Sequence, residues 1–229
     1  MKHCLLLILI LFSSTSILGQ TDHEYSDELL TTTFKAYKEV DFEFSYHMYS
    51  FVKERFLEHL SNSSSFSNPY DSLSKYIGIR HSLDGKVKTY SWGIRDTGCC
   101  HSTEIYAQYK TKNGDIKFLD LKGENYGGRE DIFITDFQYI EIKKKPYYPI
   151  LGSGTCCGGE HYSTVKVYEI KNSLFQESEA IFDREPNLFI GVNRSQPIRL
   201  KYSSEQKKYP TSATKLMKIQ AFTKEKSLM

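Results

Sequence analysis

The chain has 229 residues, enough to bury a substantial core without disulfide or metal staples. Its 30 Lys and Arg stand against 28 Asp and Glu, a formal charge of +2. Such balance excludes nucleic acid as the main partner, since phosphate binding needs concentrated basic charge. The 17 tyrosines and 14 phenylalanines suit sheets with one half-wet face.

The N-terminus begins with a short basic stretch at Lys2 and His3. An unbroken apolar run from Leu5 to Phe12 follows, then small and polar residues up to Gly19-Gln20. That order predicts a cleaved secretory signal peptide over residues 1–19, and hence a secreted or periplasmic protein. The apolar run is shorter than the about 20 residues a bilayer-spanning helix needs, so no transmembrane segment is expected in the mature chain. Cys4 leaves with the leader.

Between Ser26 and Leu60 there is neither Gly nor Pro. Apolar side chains fall at Leu30, Phe34, Tyr37, Phe44, Met48, Phe51, Val52, Phe56 and Leu60, mostly three or four apart. This period predicts an N-terminal helical segment within residues 20–68, as one helix or as two broken near Asp41 to Ser45. Ser26 with Asp27-Glu28 supplies an N-cap and acidic first-turn residues. Val40, Phe42, Phe44 and Tyr46 alternate at strand period, but the helical spacing covers more of the segment. The stretch from Ser61 to Ser72, with Asn68-Pro69 inside a serine cluster, ends it as turn material. His47 and His59 are read as ordinary helix residues.

From Tyr70 onward the pattern changes to short β-prone runs, and residues 70–229 form a predicted β-rich domain. The runs are Tyr76–His81, Lys86–Ile94, Thr103–Thr111, Ile116–Leu121, Ile132–Ile142, Tyr147–Leu151, Ser163–Ile170, Leu174–Phe182, Leu188–Val192, Ile198–Tyr202 and Leu216–Phe222. Asp84-Gly85 and Asn113-Gly114 are hairpin dipeptides. A phase slip within Ile132–Ile142 suggests a bulge. The fold class is therefore α+β, a helical segment packed on a mainly antiparallel meander. One large twisted sheet or a partly closed barrel is expected; a propeller would need more strands. Lys143-Lys144-Lys145 reads as a solvated strand end rather than an anion site.

An internal repeat punctuates this domain. Residues 90–118 and 147–175 each run from an aromatic strand into a Gly/Thr-rich turn with adjacent cysteines, then through a second strand to a Lys-Asn turn. Cys99 and Cys100 in the first copy match Cys156 and Cys157 in the second. In an exported chain, four matched cysteines predict two disulfides, each joining one cysteine of each copy. Two alternatives compete. A thiolate/histidine metal site would draw on Cys99, Cys100, Cys156, Cys157, His101 and His161, although adjacent cysteines lack the usual spacing. A catalytic thiol with His101 or His161 as base would need a third group to orient the histidine.

Other stretches are weaker. Asp96-Thr97-Gly98 carries the letters of an aspartic-protease triplet without a second aspartate copy, and reads as a turn. Residues 124–131 set Gly127-Gly128 among acidic groups without the spacing of a calcium loop. Trp92, Tyr90 and Tyr106, with Tyr109, are the candidate ligand-binding aromatics for a glycan, against the plainer reading that they are core. Asn62-Ser63-Ser64 and Asn193-Arg194-Ser195 match glycosylation sequons.

The succession from Tyr70 to Tyr76, then Ser82-Leu83-Asp84-Gly85-Lys86, then Tyr90-Ser91-Trp92, resembles a family of exported Bacteroidetes proteins. Ile150-Leu151-Gly152-Ser153-Gly154 resembles a later segment of that family. The resemblance runs from about Tyr70 to Phe182 and implies export and one β-rich domain, with no catalytic residues to carry over. No acid–base or nucleophile constellation stands out, and no cofactor is expected. The expected function is a non-catalytic binding or envelope-associated role, with an envelope protein or a glycan as partner. Metal binding, or a hydrolase with a dispersed site, are the alternatives.

Overall fold

A computed structural model describes residues 26–95, 97, 101–122, 132–156, 160–179, 181–182 and 187–193. The chain divides into two compact units, one ending at Ile77 and the other starting at Gly78.

The first unit contains helix α1 over residues 26–39, helix α2 over Phe42–Ser61, and 3-10 turns at Ser63–Ser67 and Leu73–Lys75. The helical segment is thus two helices. Asp41 takes an extended conformation and its side chain accepts a hydrogen bond from the Phe44 amide at 3.0 Å, so it ends one helix and caps the next. Leu30, Phe34 and Tyr37 of α1 are buried, as are Ser45, Val52, Phe56 and Leu60 of α2. Phe34 and Phe56 meet edge to face at 5.8 Å.

Phe44 and Phe51, counted with the apolar set by spacing, are 64% and 51% exposed. Each precedes a buried residue, and one step along a helix turns the side chain about 100° away. The Asp27 carboxylate accepts the Ser72 and Leu73 amides, both at 3.1 Å, which pins the second 3-10 turn to the start of α1. His59 is 2.5 Å from the Tyr70 hydroxyl. Among the described residues no helix is long and apolar enough to cross a membrane.

The second unit is built from β1 (Gly78–His81), β2 (Val87–Gly93), β3 (Thr103–Lys110), β4 (Ile116–Asp120), β5 (Phe133–Phe137), β6 (Ile140–Ile142), β7 (Lys145–Cys156), β8 (Glu160–Lys171), β9 (Leu174–Glu177) and β10 (Asn187–Asn193). All their pairings are antiparallel. Instead of one large sheet or a closing barrel, they form two sheets. The first is ordered β1-β2-β3-β4; the second is β10-β8-β7-β5, with β6 on β7 and β9 on β8. The chain leaves the first sheet from its edge strand β4 and re-enters on β5, an edge of the second, so the meander is split rather than continued. The expected phase slip is a register shift between Ile134 and Asp136 against β7. The runs at Ile198–Tyr202 and Leu216–Phe222 lie outside the described residues.

Side chains from both sheets share one core. Val87, Ile105, Ala107 and Tyr109 come from the first, and Ile134, Tyr148, Ile150, Tyr162 and Phe175 from the second. Phe175 stacks on Tyr168 at 4.9 Å and on Tyr109 at 5.5 Å, so one β9 ring joins the two layers. At the other end of the same strands, the Thr103 hydroxyl donates to the Ile132 carbonyl at 2.9 Å.

Candidate anion-binding site

Four tight turns gather at one end of the β unit. Between β1 and β2 the Ser82 amide bonds the Val87 carbonyl at 2.8 Å, and Gly85 supplies a φ of 65°. Between β3 and β4 the Thr111 amide bonds Asp115 at 2.8 Å, with Gly114 at φ 92°. Residues 143–144 join β6 to β7, and residues 172–173 join β8 to β9, both as two-residue loops. Together the four turns line a cavity of about 710 Å³, within the range of small-ligand sites.

Every one of these turns brings lysine to that cavity: Lys86 from the first, Lys110 and Lys112 from the second, Lys144 and Lys145 from the third, Lys171 from the fourth. Lys145 is neutralised by an ion pair with Glu169, whose hydrogen bond raises the Lys145 pKa above its ordinary value. Among the described residues, Lys86, Lys110, Lys112, Lys144 and Lys171 form no ion pair, and all are exposed. Among the described residues Asp84 is the one acidic residue lining the cavity. Its carboxylate accepts the Tyr148 hydroxyl at 2.8 Å and the Ser82 hydroxyl at 2.6 Å, which fixes its orientation. Burial, then the Asp84 contact, pushes the Tyr148 phenol far above its ordinary pKa, so it stays a neutral donor. The lining is thus mostly cationic and exposed, with one anchored, half-buried carboxylate.

Backbone strain marks the same place. Lys143 and Lys144 have φ of 51° and 64°, in the left-handed region that such a loop fills best with Asn-Gly. An L-residue with a Cβ held there costs about 1–2 kcal/mol. The pair Lys143→Asn with Lys144→Gly is therefore expected to stabilise the fold by roughly 1 kcal/mol. The same variant should lose about threefold in anion affinity, the size of one exposed charge contact. Urea denaturation and an anion titration on that variant check both.

The residues predicted from sequence lie elsewhere. Tyr90 and Trp92 on β2 and Tyr106 on β3 share one face, with Tyr90 opposite Tyr106. They are 0%, 3% and 1% exposed, so they offer no open aromatic surface. Beside them the Tyr90 hydroxyl donates to Gln108 at 2.6 Å, the Tyr106 hydroxyl bonds the Glu104 carboxylate, and Trp92 lies 5.7 Å from the Tyr106 ring. Cys99, Cys100 and Cys157 lie outside the described residues, as does the side chain of Cys156. His101 is exposed; His161 Nδ1 is 3.0 Å from the Thr155 hydroxyl. Among the described residues no group of His, Cys, Asp and Glu is placed to hold a metal ion. The loop at residues 124–131 is outside the described residues.

Lys88 shares the buried face of β2, its amine 5.8 Å over the Tyr90 ring. Burial lowers its pKa from 10.5 to about 8. The unfolded chain therefore holds the extra proton between those values, and this group's contribution favours folding increasingly as pH rises from about 8 to 10.5. The contribution is lost as pH falls through about 8. Lys88→Met is expected to be more stable than the parent at neutral pH, by on the order of 2 kcal/mol. The gap should close towards pH 10.5, which denaturation at a series of pH values measures.

The lysine ring was missed because its members are scattered from residue 86 to residue 171. One trace existed: a lysine flanks each of these four turns. No family model matches the chain, and no curated protein or solved structure matches it.

Proposed function

We propose that this chain is an exported, non-catalytic binding module whose β unit captures anionic ligands in the lysine-ringed cavity. One observation carries the reading: five exposed lysines without ion-pair partners among the described residues, drawn from four separate turns, surround a single cavity. Like charges so placed repel one another and raise the local anion concentration. Lysine offers a mobile point charge rather than the fixed fork of arginine, which suits ligands with irregularly spaced charges. Calorimetric titration with tripolyphosphate and with a sulfated oligosaccharide tests the reading. Binding that weakens steadily with added salt is expected. Salt-insensitive binding, or none, would overturn it.

Disulfides are the second part of the proposal. In sequence, Cys99-Cys100 fall between β2 and β3, and Cys156-Cys157 come at the end of β7 before β8; the described ends of these paired strands are remote from the lysine turns. Strand β5 bridges these ends: Phe133 pairs with Ser153, and a Cβ on Gly93 would lie 3.1 Å from the Phe133 ring. That proximity supports cross-links between the two hairpins, with the cysteines tying the end opposite the cavity. The mass of the non-reduced protein is expected to be four hydrogens below that of the reduced form; equal masses would refute the cross-links.

A further inference from the structure

Resting on the anion-binding reading, we infer that the ligand is an acidic glycan, a short run of sugar rings bearing carboxylate or sulfate groups. The distribution of charge within the cavity carries this. The lysines that line it are all exposed, whereas the Asp84 carboxylate is half-buried and fixed by Tyr148 and Ser82. A ligand anionic along its whole length would press charge against Asp84. A sugar ring presents hydroxyl donors there, and a carboxylate is a strong acceptor for them.

Pro146 and Ile170, both half-buried, line the same cavity and offer an apolar surface to the C–H face of a ring. The Asn172 side-chain amide adds a donor and an acceptor to the lining. Two rival ligands fit less well. Among the described residues no arginine lines the cavity, so these supply no bidentate grip on phosphate. The one aromatic residue among the described lining, Tyr148, is fully buried and cannot stack a nucleic-acid base. The volume of about 710 Å³ also exceeds what a single inorganic oxyanion would fill.

The test compares three probes on the whole chain: tetragalacturonate, a sulfated tetrasaccharide of equal charge, and tripolyphosphate. Each is titrated against the parent and against Asp84→Asn, a substitution that keeps an acceptor for the turn. Removing the Asp84 carboxylate is expected to weaken the sugars about tenfold, through lost hydroxyl bonds, and to tighten tripolyphosphate by relieving repulsion. The two sugar arms tell carboxylate from sulfate recognition, and strong binding of either supports the inference. If Asp84→Asn tightens all three probes, the glycan inference fails while the anion site stands. If no probe binds the parent, both fail. Should Asp84→Asn not fold, Asn172→Ala replaces it: a loss of about tenfold for the sugars alone is expected, and an equal loss for tripolyphosphate would overturn the inference.

Discussion

Replacing Lys86, Lys110, Lys144 and Lys171 together by glutamine is expected to weaken binding of a multivalent anion about a hundredfold at low salt. Each exposed charge contact is worth roughly 0.2–1 kcal/mol, so four contribute about 1–4 kcal/mol, and each 1.4 kcal/mol is about tenfold in affinity. The four side chains are exposed and make no ion pair among the described residues, so their removal opens no cavity in the core. The thermal midpoint should stay level or rise as like charges are relieved. Calorimetry at two salt concentrations checks this: the variant should also lose most of the salt dependence. Unchanged affinity would place the binding surface elsewhere.

Gly152→Val should strongly destabilise the second sheet. A Cβ at Gly152 would meet Ile132 Cδ1 at 2.6 Å and Ile132 Cβ at 2.7 Å. Ile132 is buried among side chains from both sheets, and its Cβ cannot swing away as a chain end can. Overpacking of this kind costs about 1–3 kcal/mol for small insertions; valine is expected to cost about 3 kcal/mol or more. For a chain of this length that lowers the melting temperature by roughly 6–12 °C. Ile132→Ala should partly rescue Gly152→Val, since each relieves the other's defect, and the double-mutant cycle reads that coupling. Additive losses would mean that the two residues do not share the contact.

Much of this fold was legible because local chemistry decided it. A helix break near Asp41, the hairpin dipeptides Asp84-Gly85 and Asn113-Gly114, and a phase slip within Ile132–Ile142 could all be read from a few neighbouring residues. Alternation also put Tyr90, Trp92 and Tyr106 on one face. It could not show that both faces of β2 and β3 are buried, which decides between an open platform and a core. The split into two sheets was hidden for the same reason: pairing of edge strands is non-local and leaves no period in the sequence.

The lysine cavity lies between these extremes. In an antiparallel meander alternate turns share an end, so the turns after β1 and β3 must lie together, with Lys86, Lys110 and Lys112. That Lys144 and Lys171 join them follows only from how the second sheet packs on the first, through contacts such as Tyr148 with Asp84. The charges looked like solvated turn residues one at a time; their convergence is tertiary.

Mapping of backbone amide shifts during titration with tetragalacturonate tests the lysine site most directly. Signals from Gly85, Lys86, Gly114, Lys145 and Asn172 should move together and saturate. Those of Gly93, Thr103 and Ser153, at the remote ends of their strands, should stay in place. Shifts confined to those remote ends, or absent at all four lysine turns, would contradict an anion site in this cavity.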